Sequence, residues 1–180
     1  MLQITVPAVE LWDERLNQFV YRKEQTLQLE HSLVSLRKWE SKWCKPFLSK
    51  DDKTYEETLD YIKCMTITQN VDPETYKYLS KNNIEEIDEY IRAPMTATTF
   101  SDDGSGKRNK EIVTAEVIYQ WMIALNIPIE FQKWHLNSLI TQIRVCQIKS
   151  QPPKKKSKKE IMTQHAALNA ARRKKLNTKG

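Results

Sequence analysis

The side chains with the most chemistry to offer are three histidines, His31, His135 and His165, and three cysteines, Cys44, Cys64 and Cys146. None sits at the short spacing that puts zinc ligands on one turn, so the pattern predicts no metal centre. A cysteine nucleophile with a histidine base could pair Cys44 with His31 or Cys146 with His135. Such a pair also needs oxyanion donors and an oriented base, and no local motif supplies either. The histidines therefore read as ordinary hydrogen-bonded side chains. Paired carboxylates occur at Glu56/Glu57, Glu85/Glu86 and Asp102/Asp103. The first two pairs open helical turns, where negative charge meets the helix dipole favourably. Hydrolytic acid–base work needs carboxylates opposed across a cleft, which adjacency does not give. A phosphate-cradling loop is excluded as well, because Gly104 and Gly106 follow Asp102 and Asp103, where two carboxylates would meet the anion. The expectation is a non-enzyme, with no catalytic, cofactor-binding or metal-binding residues.

Binding chemistry is better represented. Of the five tryptophans, Trp121 and Trp134 read as core residues of a helical hairpin. Trp39 and Trp43 lie one turn apart among Arg37, Lys38, Glu40 and Lys42, a pattern that suits a partner-facing aromatic surface. Residues 151–180 hold 10 of the 29 lysines and arginines against one acid, Glu160. Most fall in two clusters, Lys154, Lys155, Lys156, Lys158 and Lys159, then Arg172, Arg173, Lys174 and Lys175. Clustered cations bind phosphate backbone without sequence readout, or an acidic protein surface, so nucleic acid through residues 154–175 is one candidate partner. The segment has no Phe, Trp or Tyr, which argues against base stacking on single strands.

The elements that position these residues follow from periodicity. Leu2, Ile4 and Val6 alternate with polar neighbours as a half-buried strand does. A hairpin follows, Val9–Trp12 with Phe19–Tyr21, and Thr26–Glu30 alternates again. The first thirty residues thus form a short antiparallel β-meander that helices must cover. Helices are expected from Ser32 to Trp43, after the capping box Thr54-Tyr55-Glu56-Glu57, after Asp72-Pro73-Glu74, and after Asn83 with the stripe Ile84, Ile87 and Ile91. Met95 to Phe100 reads as a short strand or an extended link. Glu111 to Leu125, with Val113 or Ala115, Val117, Trp121 and Leu125 on one side, and residues 130–149 complete an αα-hairpin around Asn126-Ile127-Pro128. Pro152 and Pro153 then start an extended spacer, and Glu160 to Lys175 is helix-prone with a thin stripe of Ile161, His165, Leu168 and Ala171.

The fold class expected is α+β, predominantly α. Residues 1–150 form one domain and residues 151–180 a basic extension. With 180 residues, 39% hydrophobic and 29% charged, the chain supports one ordinary core. No apolar stretch nears the ~20 residues of a membrane span. The first residues lack the basic start of a signal peptide, and three unpaired cysteines suit a reducing compartment.

Three stretches carry a resemblance. They are Thr26 to Trp43, reading TLQLEHSLVSLRKWESKW; Ala115 to Ile140, with YQWMIALN at 119–126; and AALNAARR at 166–173. Across most of its length the chain resembles the tail assembly chaperones of tailed bacteriophages. That resemblance implies an α-rich factor in the cytoplasm of the infected bacterial host. Such a factor coats the tape-measure protein, helps tail-tube subunits polymerise around it, and in many members has a frameshifted longer form. It implies no active-site residues. The strand-rich start departs from a purely helical picture and leaves open a virion component of the neck, connector or tail. A second copy of the chain is a further candidate partner.

Overall fold

The computed structural model describes residues 1–13, 17–100, 112–150 and 158–177. The chain is α+β and predominantly helical. Its compact units are Met1–Gln147 and Ile148–Gly180.

Four strands open the first unit: β1 (Leu2–Val6), β2 (Val9–Asp13), β3 (Gln18–Arg22) and β4 (Gln25–Leu29). They do not pair in sequence order as a simple meander would. β1 pairs with β4 and β2 with β3, both antiparallel. One register runs through both pairs, with Leu2 opposite Leu29 and Val9 opposite Arg22. The result is a ribbon in two parts, a base of β1 with β4 and an arm of β2 with β3, separated where Pro7 can donate no backbone hydrogen bond. Its base buries Ile4, Val6, Leu27 and Leu29. The outer edge of β4 is closed by the following chain, since Ile67 N donates to Gln28 O at 2.8 Å and Glu30 N donates to Met65 O at 2.9 Å.

The helices are α1 (Leu33–Trp43), α2 (Tyr55–Met65), α3 (Lys81–Arg92), α4 (Ala115–Ala124) and α5 (Leu136–Ser150), with α6 (Lys158–Leu176) in the second unit. α1 and α2 begin at the capping residues Ser32 and Thr54, each in a reciprocal box with the residue three further on. α1 is the common wall of two cores. Trp39 joins the ribbon base, Ile62 and Met65 of α2, and Ile87 and Tyr90 of α3. Leu33 and Leu36 instead meet Ala115, Ile118 and Met122 of α4 and Leu139 and Ile143 of α5. Each such fully buried aliphatic side chain contributes about 2 kcal/mol of transfer free energy.

Several expectations change. Residues after Asp72 form a 3-10 helix, Pro73–Tyr78, not an α-helix. α3 is capped by Ser80, and Asn83 is the third helical residue, its side-chain oxygen accepting from Ser80 N at 3.1 Å. Of the two readings of residues 95–100, strand or link, the strand is not formed. The buried face of α4 is Ala115, Ile118 and Met122, one position round from the stripe through Val117 and Trp121. The helix expected over 130–149 is a 3-10 turn, Ile129–Lys133, followed by α5 from Leu136. It breaks because Leu136 N donates to His31 O at 2.7 Å, in a bridge that ties Ser32 to His135. The Asp102–Gly106 loop lies outside the described residues.

Candidate partner-binding surfaces

Trp39 and Trp43 do stack, 6.2 Å apart and 28° between planes, but on the inside. Trp39 is 1% exposed. Its Nε1–H donates to Glu57 O at 2.8 Å, which satisfies a buried donor that would otherwise cost about 1–3 kcal/mol. Trp43 is half-buried and donates to Asp60 Oδ2 at 3.0 Å. Lys42 holds the other oxygen of Asp60, and Lys45 Nζ lies 2.6 Å from Glu57 Oε1. The hydrogen bond from Lys45 holds the Glu57 carboxyl below the usual carboxylate range. The pair thus fastens α1 to α2, and Trp39 is removed from the set of partner-facing residues.

Trp134 moves the other way. It is 44% exposed and stacks on Phe131 at 3.9 Å and 15°, while Trp121 is half-buried. Trp134 borders a recess of about 590 Å³ that also includes Glu30, Tyr90, Thr96, His135 and Ser138. The floor of this recess is internally bonded. Tyr90 OH donates to Glu30 Oε1 at 2.6 Å, and His135 Nε2 donates to the Tyr90 carbonyl at 3.0 Å. His135 Nδ1 accepts from Asn137 N at 3.3 Å. Both ring nitrogens are engaged, so the imidazole has no lone pair to offer a substrate.

His31 faces the same way inside the core. Its Nδ1 and Tyr61 Oη are 2.6 Å apart, and its ring lies edge-on to His135 at 5.1 Å. Burial, reinforced by electrostatic competition with the neighbouring His135, pushes the His31 pKa down to about 4. Burial also lowers His135 and raises Tyr61 and Tyr90. Sequence spacing does not pair these histidines; the bridge between Ser32 and His135 does. The Cys44 thiol lies against Ser41 O and that of Cys146 near Gln142 Nε2. Among the described residues no three His, Cys, Asp or Glu side chains are grouped to hold a metal ion.

Two surfaces stay uncovered. Along α6 every described side chain, from Met162 to Leu176, is exposed. Arg173, Lys174 and Lys175 occupy its last turn, where positive charge complements the helix dipole, and Arg172 precedes them. Lys158 and Lys159 begin the helix, while Lys154, Lys155 and Lys156 lie outside the described residues. No described helix is long and apolar enough to cross a membrane.

The second surface is the β2–β3 arm, where Trp12, Phe19 and Tyr21 are 50%, 66% and 65% exposed. Trp12 and Phe19 are opposite each other, edge to face at 4.9 Å. The sequence reading located this hairpin but not its aromatic face. The signal was available in the register, since residues opposite one another share a face.

No protein-family model matches the chain, and neither a curated protein nor a solved structure is detectably similar to it.

Proposed function

We propose that the chain is a non-enzymatic assembly factor of bacteriophage tails that binds the tape-measure protein and supports tail-tube assembly in the infected cell. The observation that carries this reading is α6, a 19-residue helix whose described side chains are all exposed. Helices in proteins owe most of their stability to packing of an amphipathic face. Leu168 and Ala171 give it a narrow apolar stripe, and the flanking cations suit an acidic helical partner. The resemblance in three sequence stretches names the partner. Co-expression tests the proposal: the tape-measure protein should be recovered soluble in the presence of this chain and aggregate in its absence.

The cationic clusters also favour a second reading, a structural component of the neck, connector or tail whose basic end contacts DNA or an acidic neighbour. Purified particles discriminate. A virion component is present in fixed stoichiometry, whereas an assembly factor is missing from finished tails.

A further inference from the structure

The β2–β3 arm carries one largely aromatic face. Register places Glu10, Trp12, Phe19 and Tyr21 on one side of the β2–β3 arm. Three of these side chains are exposed aromatic rings, while Val9, Val20 and Arg22 on the other side are half-buried. An isolated two-stranded ribbon is marginal in water and normally needs a third strand or a packed face. Among the described residues no backbone hydrogen bond reaches the outer edge of β2 or of β3.

Charge separates the two free edges. β2 reads Val9-Glu10-Leu11-Trp12-Asp13, so self-pairing there would bring together strands that each carry two acids. Edge charges of this kind are how strands avoid pairing. β3 reads Gln18-Phe19-Val20-Tyr21-Arg22, with no acid, lysine or proline. Its one charge is already matched, since Arg22 Nη1 lies 2.7 Å from Asp72 Oδ2.

We propose that two copies of this chain associate through the β3 edges of their arms, antiparallel about a twofold axis near Val20. The product is a four-stranded sheet. Phe19 of each copy then neighbours Tyr21 of the other, and the row Trp12–Phe19 continues across the axis as one aromatic surface. Cross-strand aromatic pairs of this kind stabilise sheets. A twofold contact also closes on itself, whereas β3 joined to β2 of another copy would propagate as a filament. The dimer presents two α6 helices, so a target with repeated sites would be bound bivalently.

Sedimentation equilibrium of the full chain over a wide concentration range is the test, with Phe19→Lys/Tyr21→Lys as the variant. Both positions are exposed, so its circular dichroism and thermal midpoint should match the parent. The parent should show a monomer–dimer equilibrium, and the variant should need at least roughly tenfold more protein to dimerise. Oxidative cross-linking reports the edge: Val20→Cys should give a covalent dimer and Glu10→Cys should not, both in a background with Cys44 replaced by Ser. A monomer at every concentration overturns the proposal. So does a dimer indifferent to the double substitution, or one cross-linked through position 10 in preference to position 20.

Discussion

Glu40 Oε2 accepts a hydrogen bond from Ala115 N at 2.7 Å, so a carboxylate in the middle of α1 caps the start of α4. Thr114 occupies the N-cap of α4 but makes no side-chain capping bond, and Glu40 supplies the missing acceptor. Its other oxygen accepts from Phe47 N at 2.9 Å. A buried carboxylate is tolerated because two backbone donors and a helix N-terminus surround it. Glu40→Ala should therefore cost about 3 kcal/mol, since it strands two backbone donors. Glu40→Gln keeps an acceptor and should cost clearly less. Urea denaturation of the two variants measures the difference, and equal losses would mean that packing, not capping, is what Glu40 contributes.

Cys44 ends α1 in the left-handed conformation, at φ 52°. The chain has only three glycines, and its other described left-handed positions are asparagines apart from Met95. Asparagine tolerates this region better than cysteine does. Cys44 is exposed, so its removal loses little packing. Cys44→Gly should raise stability by about 1 kcal/mol, read as a higher denaturation midpoint. An unchanged or lower midpoint would contradict the account of this cap.

The buried histidines set a pH dependence. The folded state holds His31 near 4, below the ordinary value of 6.5, so the unfolded chain binds the proton first as pH falls. The stability is fully present above pH 6.5 and is lost progressively towards pH 4, by about 3 kcal/mol at 1.36 kcal/mol per unit. His31→Gln should lower stability at neutral pH and flatten its fall over this window. Carboxylates titrate in both proteins, so the difference between the two slopes is the informative quantity. Identical slopes would show that His31 is not the group responsible.

Local signals made the helix starts readable. Thr54 and Glu57 form the box their types and spacing promise, and the alternation of Leu2, Ile4 and Val6 marks a strand with a buried face. The misreadings lie where a distant residue decides. α5 starts at Leu136 because His31 draws its backbone into a bridge, which no window around residue 136 contains. Trp39 is buried because Glu57 O waits for its indole on another helix. The cap of α3 shifted from Asn83 to Ser80 because Asn83 plays the reaching-back role usually given to Glu or Gln. The aromatic face of the arm was missed for a different reason. Alternation marks a face, but only the tertiary structure shows where the helices stop covering it.

The proposed function assigns partner binding to α6 and its cations. Affinity for the tape-measure protein, compared between the full chain and a chain ending at Ser150, tests this most directly. The full chain should bind, with affinity that weakens as salt rises. The shortened chain should keep its fold and lose at least roughly tenfold in affinity, equivalent to about 1.4 kcal/mol. Equal affinity of the two chains would contradict the account.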